Sequence, residues 1–390
     1  MREIYLDNSA TTPLCDEAKQ KMIEAMDCYG NPSSLHSKGF DSSKLIADAR
    51  NKVLSSLFVR GGKAENLIFT SSGTEADNLA LFGVAYAKTR RANRIITTDS
   101  EHSAIENSLK KLEEDGFEVI RLKTTRGVID IDEFKSVMNK NTLLVSIMHV
   151  NNETGALYDI KRIFSIAKQI NPDVVTHTDA VQSYMKTKVS PADLFADLIT
   201  VSAHKIHGPK GIGALYVSPE VIKKKQIKPI IFGGGQESTF RSGTENLLGI
   251  IGFGAAAERA YKNLGKDVGA MRELRTYAIE KFKEINVELN LPCGETAPHI
   301  VNVLLPSIKS ETMLHYLSSM GIYVSSGSAC SSNSSSKKVS RSLVSFGLTD
   351  AEADCSMRVS LSPYNTKEDV DALVLGLNEG IEKLVKINKR

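Results

Sequence analysis

The sequence predicts an α/β protein, a large doubly wound domain around a mostly parallel sheet joined to a smaller α+β domain, and three observations carry that expectation. Apolar runs alternate with helical stretches along the chain without internal sequence repeats, as successive strand-helix units do. One run, Leu143-Leu144-Val145-Ser146-Ile147-Met148, is apolar almost throughout, which is the habit of a parallel strand buried on both faces. Several runs end in polar or glycine-containing segments, and the carboxyl ends of strands are where open α/β sheets bind ligands.

Taken in order, Ile4-Tyr5-Leu6 reads as a short strand, and Ala18, Met22 and Met26 mark one face of a helix that Gly30 closes. Tyr29-Gly30-Asn31-Pro32-Ser33-Ser34 is rich in turn formers and too polar for core. Asp41-Ser42-Ser43 is the expected cap of a helix with Leu45, Ala49, Val53 and Leu57 on its buried stripe. Leu67-Ile68-Phe69-Thr70 is a strand that runs through Ser71-Ser72-Gly73-Thr74-Glu75 into a helix over 76–87. Further strands fall at 94–98, 117–122, 143–148, 174–179, 197–201 and 211–217, with a helix opening near His102. Beyond the glycine-rich stretch 232–244, a long helix is expected over 250–284, broken around Gly265, with strands later at 300–304 and 357–361. Between those strands, residues 325–336 are serine-rich around Cys330. Such a run buries too little apolar surface to fold on itself, so a mobile loop over 328–338 is expected.

Composition narrows the class. The 390 residues are 41% hydrophobic and 24% charged, enough for a large core and two domains. A net charge of +3, from 49 basic and 46 acidic residues, gives no case for direct nucleic-acid or membrane binding. The N-terminus Met1-Arg2-Glu3-Ile4 lacks the apolar core of a signal peptide, so the cytoplasm is the expected location. The five cysteines are scattered and never in a Cys-x-x-Cys pair, which speaks against a disulfide framework and a structural zinc site.

Two strand ends carry chemistry. Ser202-Ala203-His204-Lys205-Ile206-His207-Gly208-Pro209-Lys210-Gly211 sets a lysine among small residues directly after a strand, and the strand at 174–179 ends in Asp179. A lysine and an acid so placed are the pair that pyridoxal phosphate needs: an amine for the Schiff base and a carboxylate for the protonated pyridine nitrogen. The junction Ser71-Ser72-Gly73-Thr74-Glu75 points backbone N–H groups and a helix dipole at an anion, where a phosphate fits. Each feature alone has an ordinary alternative, since Ser/Gly/Thr clusters cap helices, Asp179 can cap the next helix, His102 can sit at a helix start and Arg358 can form a surface ion pair. His204 and His207 lack a third ligand at metal spacing, so no metal is expected.

On Leu6-Asp7-Asn8-Ser9-Ala10-Thr11-Thr12-Pro13, His149-Val150-Asn151-Asn152-Glu153, Ser202-Ala203-His204-Lys205, Arg241-Ser242-Gly243-Thr244 and Ser325-Ser326-Gly327-Ser328-Ala329-Cys330, the chain resembles the cysteine desulfurases of the nitrogen-fixation and iron–sulfur-assembly group. These belong to the aminotransferase class V family of pyridoxal-phosphate proteins. The resemblance implies fold type I, with a cofactor-binding domain over 15–255 and a small domain from 1–14 plus 256–390. It implies that Lys205 carries the cofactor, Asp179 pairs with the pyridine nitrogen, Gln182 and Asn152 flank the ring hydroxyl side, and His102 stacks on the ring and serves proton transfer. Gly73, Thr74, Ser202 and His204 would hold the phosphate, with Thr244 supplied by the partner subunit of a homodimer. Asn31 and Arg358 would bind the substrate carboxylate. Cys330 would be the nucleophile, its thiolate favoured by Lys337, Lys338 and Arg341.

The implied reaction converts L-cysteine to L-alanine with a persulfide on Cys330, whose sulfur passes to an iron–sulfur scaffold or to a sulfurtransferase for thiolated tRNA or thio-cofactors. A selenocysteine lyase and a catalytically retired partner-binding module on the same fold are the alternatives. Two departures stand out: Ser362-Pro363 follows Leu361 where the family has Gly-Arg, and the chain stops at Arg390 without the longer tail used for scaffold docking.

Overall fold

In a computed structural model, the described residues are 2–88, 92–326 and 339–388, with side chains through 384. The loop expected over 328–338, with Cys330, Lys337 and Lys338, lies outside them. The strands are β1 (Ile4–Tyr5), β2 (Leu67–Thr70), β3 (Arg94–Thr98), β4 (Glu118–Leu122), β5 (Thr142–Ser146), β6 (Val175–Asp179), β7 (Leu198–Ser202), β8 (Gly213–Val217), β9 (Glu288–Leu289), β10 (Ile300–Leu304), β11 (Ile322–Tyr323), β12 (Ser325–Ser326) and β13 (Ser356–Ser360). Of the helices, α1 (Asp16–Glu24), α2 (Ser37–Ser56), α3 (Gly73–Lys88) and α4 (Ser103–Glu114) precede α5 (Ile131–Val137), α6 (Ile160–Ile170), α7 (Pro191–Leu194) and α8 (Pro219–Lys223). After them come α9 (Leu247–Phe282), α10 (Ser310–Ser319), α11 (Arg341–Phe346), α12 (Asp350–Asp354) and α13 (Lys367–Asn388).

Among the described residues, seven strands form one sheet in the order β2-β8-β7-β6-β5-β3-β4. Neighbours from β7 to β4 are parallel, while β8 runs antiparallel to both β7 and β2. The connection from β7 to β8 is too short for a helical crossover, so the chain must turn back beside the strand it has left. Because β2 opposes β8, it points the same way as β3, β4, β5, β6 and β7, and the carboxyl ends of all six face one edge.

Strand side chains alternate between the two faces. Phe69, Val145 and Ile199 join a core with Val53, Phe164 and Phe253 on one side. Ile68, Leu144 and Leu198 join Leu79, Val84 and Leu109 on the other. A separate core forms from Leu6, Phe282, Val301, Val303, Met357, Val359 and Leu377, against the antiparallel sheet β12-β13-β10-β9.

Four local expectations are corrected. Helix α1 ends at Glu24 with Ala25 as its C-cap, well before Gly30, and Met26 is exposed. Helix α2 starts at Ser37 with His36 as N-cap, Nδ1 accepting from the Gly39 N–H at 3.3 Å. Asp41-Ser42-Ser43 therefore lies inside it, where Ser42 Oγ donates to Lys38 O and needs no helix end. Ile46 rather than Leu45 takes the buried stripe, with Ala49, Val53 and Leu57 as expected. Helix α9 runs unbroken through Gly265 for 36 residues. Its first turns belong to the core holding Phe253 and Ala257 and its last to the core holding Leu274 and Phe282. A glycine's helix penalty of about 1 kcal/mol is small against packing at both ends. At Gly254 the close fit is visible: a Cβ there would come within 2.7 Å of Ala49 Cα.

Candidate active site

The shared edge of six strand ends is where the chemistry collects. A cavity of about 340 Å³ is lined by Gly73, Thr74, His102, Asn152, Asp179, Gln182, Ser202, His204, Lys205 and Arg358. Ten of the residues singled out from sequence are thus brought together. Asn31 and Thr244 do not line it. Both are exposed in the single chain, and Asn31 Oδ1 caps its own turn by accepting from the Ser33 N–H at 2.9 Å. Cys330 is outside the described residues.

Each side chain is delivered by a local device. Lys205 ends a 3-10 turn directly after β7, and its Nζ donates to the carbonyls of Ser9 and, at 2.8 Å, Ala10. Those carbonyls lie in the segment after β1, so an N-terminal stretch closes the lysine's side of the cavity. Gln182 donates through Nε2 to the same Ser9 carbonyl at 2.9 Å. Asp179 is the last residue of β6, and its Oδ1 accepts from the Val181 N–H at 2.9 Å. Burial pushes its carboxyl above the ordinary range, with His102 and Lys205 pulling it back.

His102 is the N-cap of α4, its Nδ1 accepting from the Ala104 N–H at 3.2 Å. That bond leaves the proton of the neutral ring on Nε2. Burial lowers its pKa further than the Asp179 charge raises it, which favours the neutral ring. Burial and the nearby lysines push His204 down to about 4, and its Nδ1 lies 3.2 Å from Thr11 Oγ1. Arg358, in the middle of β13, forms the opposite wall. Its Nη2 pairs with Asp7 Oδ1 at 2.8 Å, Nη1 donates to Asn152 O at 3.0 Å, and its buried Nε has no partner among the described residues.

Asp7, Ser9 and Asp77 also line the cavity; Asp7 and Ser9 stand in a stretch on which the resemblance rests but were given no role, and Asp77 was not read from the sequence. Asp77 is a fully buried acid on α3 whose Oδ1 finds no hydrogen bond among the described residues, 3.8 Å from Nε2 of His177. Burial pushes His177 down to about 3, so it offers no charge in return, and the Asp77 carboxyl rises well above its usual value through burial and the nearby Asp179. The signal was available: a carboxylate among the alanines and leucines of the buried face of α3.

The donor set suits pyridoxal phosphate. Ser202 Oγ is buried at the cavity without a hydrogen-bond partner among the described residues. It stands beside the N-terminus of the 16-residue α3, an anion-attracting end. At Gly73 an added Cβ would lie 3.0 Å from Val181 and 3.6 Å from Ser202, so only glycine keeps that corner open. The raised carboxyl of Asp179 is an unmet demand for a cation, which a pyridinium nitrogen meets. Among the described residues no group of three or more His, Cys, Asp or Glu could hold a metal ion.

This arrangement, on a mostly parallel sheet with a lysine after a central strand, agrees with the aminotransferase class V family, which matches residues 4–373. The chain belongs to that family, whose members are pyridoxal-phosphate dependent. Within it the similarity is to cysteine desulfurases. The chain is 40% identical to the cysteine desulfurase IscS of Dictyoglomus turgidum, over 99% of this chain and 96% of the relative. It is 38% identical to the cysteine desulfurase IscS 1 of Archaeoglobus fulgidus, over 97% of each. Among solved structures, a NifS-like protein 34% identical superposes with a TM-score of 0.89 over 97% of this chain and 99% of the other. A second, the NifS-like protein of Rickettsia africae, is 31% identical with a TM-score of 0.87 over 98% and 100%.

Proposed function

We propose that the protein is a pyridoxal-phosphate-dependent cysteine desulfurase that converts L-cysteine to L-alanine and leaves the sulfur as a persulfide on Cys330. The observation that carries this reading is the convergence of Lys205, Asp179, His102 and Arg358 on one cavity, in a chain 40% identical to a cysteine desulfurase over 99% of its length. Atoms and electrons balance without an outside oxidant. The substrate's C–S bond is replaced by a C–H bond, and the Cys330 S–H becomes S–S–H.

Bound pyridoxal phosphate supplies an electron sink for the pair left when the substrate Cα loses its proton. Lys205 holds it through its amine and moves the proton at Cα. Gly73, Thr74, Ser202 and His204 bind the phosphate, Asp179 the pyridine nitrogen, and Asn152 and Gln182 the ring hydroxyl side. His102 would stack on the ring and, with its proton on Nε2, would donate or relay a proton toward the substrate. Arg358 binds the substrate carboxylate together with Asn31, exchanging part of its hold on Asp7. Cys330, as thiolate, takes the sulfur. Arg341, whose charge the sequence offers to that thiolate together with Lys337 and Lys338, pairs through Nη1 with Glu106.

The two substrate and cofactor residues absent from the cavity support a homodimer. Tyr29, Leu35 and Phe40, on either side of Asn31, and Phe232, upstream of Thr244, are large apolar side chains left exposed by the single chain. Such surface marks a binding face, and a partner seated on it would bring Thr244 of the partner subunit to the phosphate. The division into domains at 15–255 and 1–14 plus 256–390, the cytoplasmic location and a sulfur-acceptor protein for iron–sulfur, tRNA or thio-cofactor synthesis belong to the same proposal. Among the described residues no helix is long and apolar enough to cross a membrane.

The test is direct. Purified protein with pyridoxal phosphate, L-cysteine and a thiol reductant should release alanine and sulfide in equal amounts, and release of neither overturns the reading. A preparation that stays colourless with added cofactor would instead support a partner-binding module, and competition with L-selenocysteine separates the lyase. Light scattering should give twice the 42.6 kDa of the chain.

A further inference from the structure

Behind the Lys205 turn lies a buried amine that the reaction as described does not use. Lys186 is 6% exposed, and among the described residues its side chain makes one hydrogen bond, from Nζ to the main-chain carbonyl of Lys205, at 2.9 Å. It makes no ion pair among the described residues. A buried ammonium in that position is costly, and the backbone that delivers it is also strained. Met185, just before it, has φ 57, in the left-handed region that side chains other than glycine and asparagine seldom enter. Two unfavourable features at one place, both on the turn that follows Asp179 and carries Gln182, call for a use.

The surroundings of Lys186 say what that use is. The charged groups it faces are cations, Lys205 first and Arg358 after it. Three histidines also feel its charge, His299, His204 and His207, and burial lowers the pKa of each so that none brings compensating charge. The carboxylates of the region are committed elsewhere: Asp7 to Arg358, and Asp179 to the Lys205 and His102 side. Two amines placed near each other in a dry pocket each make the other harder to protonate, which is one recognised way of activating a lysine.

We propose that Lys186 is a positioning residue for Lys205, holding the Lys205 peptide by its carbonyl and, through its charge, keeping the Lys205 nitrogen ready to accept a proton. The inference rests on the role given to Lys205 above. Burial, with Lys205 and Arg358, pushes the Lys186 amine down to about 7. Its charge is therefore present below neutrality and fades above it.

The experiment compares Lys186→Met, which removes the charge, with Lys186→Arg, which makes it permanent. Each holoprotein is titrated with base while the visible absorbance of the bound cofactor is followed, a signal that a purely structural lysine would not move. The pH midpoints should rise in the order arginine variant, wild type, methionine variant, with about one pH unit or more between the extremes. Coincident midpoints overturn the inference. If one variant does not fold, the other against the wild type decides it in the same way. A wild-type protein that shows no visible band with pyridoxal phosphate overturns the role of Lys205 itself, so the two failures are distinct.

Discussion

The floor and the wall of the cavity hold charge in opposite ways. On the floor, at the ends of the parallel strands, Asp77, Asp179 and Glu101 are buried carboxyls that burial pushes above their ordinary range. On the wall, the guanidinium of Arg358 is already matched, by Asp7 at 2.8 Å and by Asn152 O at 3.0 Å. The floor is therefore poised to take up a cation and keep it, as a resident cofactor requires. The wall can only exchange one carboxylate for another, as a substrate that comes and goes requires. Changes on the floor should appear in kcat and cofactor affinity, and changes on the wall in KM.

The largest break in that contrast is Lys205→Ala. It removes both the attachment and the base, so kcat for alanine release should fall by more than about 10⁴-fold. Pyridoxal phosphate should still bind through its phosphate and ring contacts, read by equilibrium dialysis, and full activity would remove Lys205 from the floor. Asp179→Asn keeps the shape and deletes the charge. Loss of the group that stabilises a buried cation should lower kcat by about 10² to 10³-fold and weaken cofactor binding. A change confined to KM would contradict the assignment.

On the wall, Arg358→Gln should raise KM for L-cysteine by about 10 to 100-fold, the worth of a charge-assisted hydrogen bond lost, with cofactor affinity unchanged. Asp7→Asn sharpens the exchange argument. If Asp7 competes with the substrate carboxylate for Arg358, its removal should lower KM a few-fold, and a rise in KM would mean that Asp7 orients the arginine rather than competing.

The floor was also the more legible half in sequence. Lys205 and Asp179 announce themselves because each ends an apolar strand run, a signal contained within ten residues. Arg358 has no such local mark: its partner Asp7 lies 351 positions away, and only the resemblance singled it out. Asp77 was hidden because it stands on the buried face of a helix, where the periodic pattern directs attention to the leucines. Gly265 misled in the other direction, since its local preference for ending a helix loses to two cores that hold α9 at both ends. Asn31 and Thr244, named through the family, sit on exposed segments of the single chain, which no reading of one chain's periodicity could place.

The smallest expected effect on turnover, and the finest test of the floor's charge, is Glu101→Gln. Glu101 lies beneath His102, accepting from Thr98 Oγ1 at 2.7 Å and from the Met148 N–H at 3.0 Å, and burial pushes it up to about 8. Its ordinary value is 4.5, so between these two values the folded protein holds a proton that the unfolded chain has released. Stability then falls as pH rises through this window, because folding takes up a proton that becomes scarcer. The contribution is fully present below 4.5 and is lost once pH has passed the folded value of about 8. Glutamine has no proton to lose, so the variant should be the less pH-sensitive protein. The difference in unfolding free energy between variant and wild type should grow in the variant's favour from pH 5 to 8, by about 1.4 kcal/mol per pH unit at most. The histidines and lysines that titrate in the same range are common to both proteins and cancel in the difference. Denaturant unfolding of the two proteins at several pH values reads it. A constant difference across that range would mean that Glu101 is ionised in the folded protein, its charge held by Thr98 and the Met148 amide, and that the floor carries more negative charge than burial alone allows.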